Sequence, residues 1–269
     1  MSKGSARVRG IEMFYDDTGG SGAALVLLHG FPFDRSMWRG QAEALGGGEF
    51  RVVAPDLRGS GETPLGDGDV TMETLAEDVA ALLDELNLGR VVLGGLSMGG
   101  YVAFEFFRKF PERVRALVLA DTRPQVDTEE GRRAREENAR RALKEGMVPI
   151  VESMLPKLLS AGARERGGEV LGRVRAMMLG TNPEGAAASL RAMAVRRDQT
   201  DLLPSINVPT LIVVGSEDSV TPPADAEAMS AKVGGSRLFV VEGAGHLSNV
   251  ERPGEFDRAL VEFLRALPA

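Results

Sequence analysis

Residues 91–100 constrain the fold most, because they predict a buried strand that turns at once into a helix. Their sequence, VVLGGLSMGG, places the pattern G-x-S-x-G at residues 95–99, and the helix is predicted to run from about Gly99 to Phe110. A serine on so tight a turn has strained backbone angles, and glycine two residues away on each side avoids a clash. The helix N-terminus favours negative charge beside Ser97. Since the chain holds 33 glycines, an idle serine in a glycine-rich turn is the alternative.

Length and composition fit one large domain with room for an insertion. The chain has 269 residues, of which 43% are apolar, and a net charge of −7. The negative charge argues against general nucleic-acid binding. Without cysteine there is no disulfide framework and no thiolate metal site. We expect a cytoplasmic protein, because no signal-peptide pattern and no apolar run of membrane-spanning length is present.

Strands and helices alternate over residues 1–122 and again after residue 209, which predicts an α/β fold. Continuous apolar runs such as residues 24–28 and 210–214 indicate strands covered on both faces. A hairpin at residues 7–15 precedes them, and residues 71–86 show the clearest amphipathic helix. We predict an eight-stranded, mostly parallel sheet with helices on both faces.

The alternation stops between the sixth and seventh strands, where only helical patterns occur. This predicts a helical cap, or lid, at residues 123–200, on a core formed by residues 1–122 and 201–269. Residues 128–145 carry many charges of both signs, which is typical of a solvated helix face, with an anion site as the alternative.

A serine nucleophile needs a base, and the base needs a group that orients it. The chain has two histidines, and His246 follows the last strand in a glycine-containing loop. Ser97, Asp218 and His246 all follow strands, and the carboxyl ends of parallel strands share one edge of the sheet. We predict these three as the catalytic residues. Glu217 and Asp121 are alternative acids, but Asp218 is favoured by its loop, Gly215-x-x-Asp218-x-x-Thr221-Pro222.

The loop after the third strand, His29-Gly30-Phe31-Pro32, is where a second donor to an oxyanion is expected. We predict that the backbone N–H groups of Phe31 and Met98 form the oxyanion hole, while His29 ties the loop by hydrogen bonds. The predicted substrate pocket is apolar and small, and it is lined by His29, Phe31, Leu96, Met98 and Leu247.

The sequence indicates no cofactor and no metal. It has no H-x-x-x-H spacing, no phosphate-binding lysine loop and no dinucleotide-binding glycine pattern. The predicted partner is a small-molecule ester, with no nucleic acid and no membrane, and the oligomeric state, monomer or dimer, stays open.

Five segments are similar to the α/β-hydrolase superfamily, in the same order. They are HGFP at 29–32, DLRGSG at 56–61, GLSMGG at 95–100, GSED at 215–218 and GAGH at 243–246. Residues 92–104 and 198–204 resemble compact bacterial carboxylesterases of the group that also holds the 3-oxoadipate enol-lactonases. The resemblance implies the triad Ser97, Asp218 and His246 and a lid. Serine at the turn argues against haloalkane dehalogenases and epoxide hydrolases, which have aspartate there.

We therefore expect a serine carboxylesterase that hydrolyses short-chain esters through an acyl-enzyme on Ser97. Two enzymatic alternatives share the same triad: a lactonase of the enol-lactonase type and a cofactor-free perhydrolase. A lactonase for a dicarboxylate would need cationic groups, for which Arg123, Arg196 and Arg197 are candidates, although a solvated surface position is the simpler expectation for them. An alternative of another class is a small-molecule receptor that keeps the fold without turnover.

Overall fold

The computed structural model describes residues 1–268, and within them a single sheet of eight strands forms the centre. Its spatial order is β1-β2-β4-β3-β5-β6-β7-β8. The pairs β1–β2 and β2–β4 are antiparallel, and every other neighbouring pair is parallel. The predicted eight-stranded, mostly parallel sheet is confirmed. The strands are β1 (Ser2–Val8), β2 (Ile11–Asp17), β3 (Ala23–Leu28), β4 (Phe50–Pro55), β5 (Val91–Leu96), β6 (Val114–Ala120), β7 (Thr210–Gly215) and β8 (Arg237–Val241).

Eleven α-helices are found in the described residues. They are α1 (Arg39–Leu45), α2 (Met72–Glu85), α3 (Met98–Lys109), α4 (Glu129–Glu145), α5 (Val148–Leu158), α6 (Ala161–Arg166), α7 (Gly168–Gly180), α8 (Pro183–Ala194), α9 (Pro223–Ser230), α10 (Ser248–Glu251) and α11 (Pro253–Arg265). The short helices α6 and α10 were not predicted. A 3-10 helix, Arg35–Trp38, precedes α1, and the Asp34 carboxylate caps it by accepting a hydrogen bond from Ser36 N.

Helices cover both faces of the sheet, as predicted. The pair α2 and α3 packs on one face, and the pair α1 and α11 packs on the other. Helix α2 begins at Thr71, whose hydroxyl accepts from Thr74 N, and it turns an apolar stripe toward the core. Trp38 and Phe256 meet on the opposite face with ring centroids 5.9 Å apart. This double cover explains why the central strands are apolar throughout.

The segment between β6 and β7 is helical, as predicted, and we call residues 123–200 the insertion. Within it α4 packs along α8, and α5 contacts both α4 and α7. Its buried polar centre is Asp127, which pairs with Arg135 and Arg196. Burial raises the pKa of Asp127, but the hydrogen bonds and charges of the two arginines lower it by more. The net pKa of Asp127 therefore lies well below the ordinary value. The division of the chain into a core and a helical cap, or lid, stays a prediction.

The exposed face of α4 carries ion pairs four residues apart, including Glu129 with Arg133 and Glu136 with Arg140. This arrangement fits the expected solvated helix face. Within residues 1–268, no helix combines the length and the apolar character that a membrane crossing would need.

One buried ion pair joins α2 to the loop after β4. Arg58 donates from Nε and Nη2 to the two oxygens of Asp78, over 2.7 and 2.8 Å. The Asp78 carboxylate is fully buried. Removing one partner of such a pair leaves the other charge buried without compensation.

We expect Asp78→Ala to lower the free energy of unfolding by about 3–5 kcal/mol, because Arg58 would lose its buried counter-ion. The matched control on the same helix is Asp84→Ala, which removes an exposed partner of Arg113 and should cost about 0–1 kcal/mol. Urea unfolding of both variants measures the difference. Equal losses in the two variants would contradict the assigned role of the pair.

Candidate active site

The Ser97 turn is built from close backbone contacts. Ser97 has φ 54° and ψ −113°, a left-handed conformation that is costly for a residue with a side chain. A Cβ at Gly95 would lie 2.2 Å from the carbonyl oxygen of Gly99. A Cβ at Gly99 would lie 2.2 Å from the carbonyl oxygen of Leu28. The two glycines of the G-x-S-x-G pattern are therefore required by the approach of α3 to β3 and β5.

Neighbouring strand β6 holds the strained serine in place. Ser97 N donates to the carbonyl of Ala120 over 3.0 Å, and the Thr122 hydroxyl donates to the carbonyl of Ser97 over 2.8 Å. A Cβ at Gly100 would meet that same hydroxyl at 2.4 Å. Glycine is therefore required at residue 100 as well, because a side chain there would displace Thr122 from the first turn of α3.

A line of hydrogen bonds joins Ser97, His246 and Asp218. Ser97 Oγ lies 2.9 Å from His246 Nε2, and His246 Nδ1 lies 2.8 Å from Asp218 Oδ2. The three residues follow β5, β8 and β7, so the structure brings all three to one edge of the sheet. With Nδ1–H donating to the carboxylate, Nε2 is free to accept the proton of the Ser97 hydroxyl.

The Asp218 carboxylate is almost completely buried, and groups of its own loop donate hydrogen bonds to both of its oxygens. The N–H groups of Val220 and Thr221 donate to Oδ1 over 2.8 and 3.0 Å, and the Thr221 hydroxyl donates to Oδ2 over 2.7 Å. Burial raises the pKa of Asp218, but the charge of His246 and these hydrogen bonds lower it more, so the carboxylate stays ionised.

His246 has a raised pKa for the complementary reason. Burial lowers the pKa of its imidazole, while the charge and the hydrogen bond of Asp218 raise it by more, so the net value lies above the ordinary 6.5. A base with this property accepts a proton from a bound hydroxyl more readily than a free histidine does.

The alternative acids point elsewhere. Asp121 is fully buried and accepts from Gly215 N over 2.9 Å and from the Ser248 hydroxyl. Burial and the charge of Asp218 raise the pKa of Asp121 to about 8. Glu217 accepts from Ala161 N of the insertion over 3.1 Å. Of the three candidate carboxylates, Asp218 is the one whose hydrogen bond reaches His246.

Two backbone N–H groups lie beside the serine without a protein partner. The hydrogen bonds among residues 1–268 include none donated by the N–H of Phe31 or of Met98. Both residues are buried, and Met98 begins α3 directly after Ser97. Buried donors that are left open can receive a charge that develops on a substrate oxygen.

His29 holds the loop that carries Phe31. Its Nδ1–H donates to the carbonyl of Gly30 over 2.9 Å, and its Nε2 accepts from Leu57 N over 3.0 Å. Burial lowers the pKa of His29, which favours the neutral ring that these two bonds need. With both nitrogens bound to backbone groups and no exposed surface, His29 fits the predicted loop-holding role better than the predicted place in the pocket wall.

The other predicted pocket residues, Phe31, Leu96, Met98 and Leu247, are at most 6% exposed. Leu96 and Met98 adjoin Ser97 in the chain, and Leu247 adjoins His246. They stay predictions as pocket walls. No cluster of three or more histidine, aspartate and glutamate side chains suited to a metal ion is found in residues 1–268. Two contacts were not predicted from the sequence. The Thr221 hydroxyl lies 3.3 Å from His246 Nδ1, and Ser248 is the partner of Asp121.

The chain belongs to the α/β-hydrolase fold family, whose model matches residues 23–253. A curated relative is the 3-oxoadipate enol-lactonase 1 of Acinetobacter baylyi, which is 30% identical over 244 residues, covering 91% of this chain and 89% of the relative.

Solved structures agree with this placement. A thermophilic esterase from Thermogutta terrifontis with malate bound is 42% identical, with a TM-score of 0.95 and complete coverage of both chains. The enol-lactonase from Burkholderia xenovorans LB400 is 31% identical, with a TM-score of 0.90 over 97% of this chain and 100% of the other. The resemblance drawn from the motifs is thereby confirmed, and the fold and relatives support a hydrolase.

We expect Asp121→Asn to stabilise the protein at pH 8 and to have little effect near pH 4. Because the folded pKa is raised from 3.8 to about 8, the folded protein keeps a proton that the unfolded chain has released, and stability falls as pH rises through that window. An asparagine can accept from Gly215 N and donate to Ser248 without this cost. The shift is about four pKa units, and at about 1.4 kcal/mol per unit the gain at pH 8 should be on the order of 5 kcal/mol and should raise Tm by several degrees.

Thermal unfolding at the two pH values measures this effect, with Asp84→Asn as an exposed control on α2. A gain that is absent at pH 8, or is the same at both pH values, would contradict a protonated Asp121.

Proposed function

We propose that the protein is a serine carboxylesterase that hydrolyses short-chain esters through an acyl-enzyme on Ser97. The observation that carries the proposal is the hydrogen-bonded line Ser97–His246–Asp218 beside two open N–H groups. A nucleophile, an oriented base and donors for an oxyanion are the parts that acyl transfer needs. The thermophilic esterase at 42% identity supports the same class of reaction.

In the proposed first step Ser97 Oγ attacks the ester carbonyl carbon while His246 Nε2 takes the hydroxyl proton. The N–H groups of Phe31 and Met98 stabilise the oxygen that becomes negative. Asp218 stabilises the imidazolium through Nδ1–H and does not itself take the proton. The ester C–O bond then breaks, and His246 gives its proton to the leaving alcohol.

In the second step a water molecule takes the place of the alcohol. His246 removes a proton from that water, and the resulting nucleophile attacks the acyl carbon. The bond between the acyl carbon and Ser97 Oγ then breaks, His246 returns its proton to Ser97 Oγ, and the acid leaves. The same N–H pair stabilises the second oxyanion. Loss of one such donor typically costs about 10²- to 10³-fold in kcat.

The charge pairing of three arginines favours a neutral ester over a dicarboxylate lactone. Arg196 is buried, so the expectation of a solvated position is wrong for it: it bonds Asp127 and lies over the Tyr101 ring at 4.3 Å. Arg123 faces Asp127 and Asp225, and Arg197 lies near Glu105. Each guanidinium already lies within 4 Å of a carboxylate of the chain, so part of its charge is neutralised before a substrate carboxylate could bind.

A lactonase of the enol-lactonase type is the second candidate function, because two of the similar proteins are enol-lactonases. Kinetics with p-nitrophenyl butyrate and with 3-oxoadipate enol-lactone separate the two. A kcat/KM for the lactone at least tenfold above that for the ester would replace the esterase proposal. Perhydrolysis remains an alternative side activity of the same triad, and single-turnover behaviour would favour the receptor alternative.

We expect Ser97→Ala and His246→Ala each to lower kcat for p-nitrophenyl butyrate by ~10⁴-fold or more, because each removes an essential part of one unit. The double variant should be no slower than either single variant by more than about tenfold. Ser236→Ala, whose hydroxyl bonds Ser230 far from the site, is the matched serine control. Hydrolysis by Ser97→Ala at the rate of the unchanged protein would remove Ser97 from the reaction.

The pH dependence of kcat/KM should show a loss of activity toward acid, with its midpoint above 6.5. The base must be neutral before it can accept the Ser97 proton, and Asp218 raises the pKa of His246 in net terms. Asp218→Asn removes this charge, so the midpoint of its residual activity should move to lower pH. Initial rates with a neutral ester between pH 5 and 9 test this, and a midpoint below 6.5 in the unchanged protein would contradict it.

A further inference from the structure

Residues 157–161 of the insertion, from the end of α5 to the start of α6, contact two loops of the proposed site. We call these residues the insertion turn. On the side of the Asp218 loop, Ala161 N donates to Glu217 Oε2 over 3.1 Å, and the Ser219 hydroxyl donates to the carbonyl of Lys157 over 3.3 Å. The two residues that flank Asp218 in the chain are thus both bonded to the insertion.

On the side of the His246 loop, the contact runs through one carboxylate, Glu251 at the end of α10. Its Oε1 accepts from Gly245 N over 2.8 Å. Its Oε2 accepts from Ser160 N over 3.1 Å and from the Ser160 hydroxyl over 2.6 Å. Gly245 directly precedes His246, so one side chain bonds both the backbone of the base and the insertion turn.

The backbones at this point touch without side chains between them. A Cβ at Gly245 would lie 2.6 Å from Ser160 N and 2.9 Å from Glu251 Oε1. A Cβ at Gly215, the last residue of β7 before the Asp218 loop, would lie 2.1 Å from the carbonyl oxygen of Gly245. The Asp218 loop, the His246 loop and the insertion turn therefore stack directly, and Glu251 closes the stack at its polar edge.

We propose that Glu251 is a positioning residue that sets the place of His246 by fixing Gly245 N–H to the insertion turn. Glu251 itself does not touch the reacting atoms. Without its carboxylate, Gly245 N and Ser160 N lose their acceptor, and the loop that carries the imidazole loses its bond to the insertion. Nε2 would then leave the 2.9 Å separation from Ser97 Oγ.

This role predicts a change in kcat with little change in KM. Substrate binding depends on the apolar groups near Ser97, whereas proton transfer depends on the separation of Ser97 and His246. A displacement of about 1 Å in a catalytic group costs up to roughly 10²-fold in rate. The inference rests on the proposed esterase function for its kinetic readout, so a second readout is needed that requires no turnover.

The experiment compares Glu251→Ala, Glu251→Asp and Glu251→Gln with the unchanged protein. Active serines are counted with a p-nitrophenyl phosphonate, and kcat and KM for p-nitrophenyl butyrate are given per titrated serine. Proton NMR measures the low-field resonance of the His246 Nδ1–H···Asp218 hydrogen bond without substrate. Thr128→Ala, which removes an acceptor of Gly131 N on the insertion, is the control.

We expect Glu251→Ala to lower kcat per titrated serine about 10- to 100-fold with KM within about threefold, and to weaken the low-field resonance. Glu251→Gln can accept through Oε1 from Gly245 N and from Ser160 N, which lie 2.8 and 3.3 Å from Glu251 Oε1, and its amide can donate to the Ser160 hydroxyl. This variant should therefore stay within about threefold of the unchanged protein. The aspartate side chain in Glu251→Asp is too short to bond both partners, so this variant should behave like Glu251→Ala. If Glu251→Ala does not fold, Glu251→Asp is measured in its place. Thr128→Ala should keep both kcat and the resonance.

A kcat per titrated serine at the unchanged value in Glu251→Ala or Glu251→Asp, with an unchanged resonance, would overturn the inference and leave Glu251 a merely stabilising role. If the unchanged protein does not hydrolyse the ester, the esterase proposal fails instead. The resonance then decides alone: its loss in Glu251→Ala and recovery in Glu251→Gln would still support the positioning role.

Discussion

The close approach of α3 to the loop after β3 is the constraint on which the rest of the site depends. Gly99 leaves no space for a side chain against Leu28, and Gly95 leaves none against Gly99. The chain can pass from β5 to α3 at this distance only through the left-handed backbone of Ser97. The same contact places the open N–H of Met98 at the helix start. One packing contact thus sets both the nucleophile and one of the two oxyanion donors of the proposed reaction.

The electrostatics near His246 depend on two buried aspartates whose pKa values are shifted in opposite directions. Asp218 receives three hydrogen bonds from its own loop and one from His246, and these lower its pKa. Asp121 receives two, and burial with the nearby Asp218 charge raises its pKa to about 8. At neutral pH the pocket beneath the imidazole therefore holds one negative charge instead of two. His246 is neutral at the start of the proposed reaction and becomes an imidazolium during it, and the single negative charge of Asp218 is enough to balance that imidazolium.

The sheet and the main candidate residues could be predicted, because their physical causes are local. Strands buried on both faces appear as apolar runs such as residues 210–214, and two histidines leave a short choice of base. Helices α6 and α10 span six and four residues, too few to show a helical period. The position of Glu251 follows from a contact with Ser160, 91 residues away, that no spacing reveals. The burial of Arg196 likewise arises only when the insertion folds back over Tyr101.

The stacking of Gly215, Gly245 and the backbone at Ser160 has a consequence for how the molecule tolerates change. Where peptide groups meet directly, no side chain lies between the loops that a substitution could enlarge or trim. A change in the apolar helical layers reaches the carboxylate and the imidazole only by moving backbone, because close-packed interiors transmit strain. A redesign of the interior for heat resistance would therefore have to keep both glycines and leave the backbone of the three segments where it is.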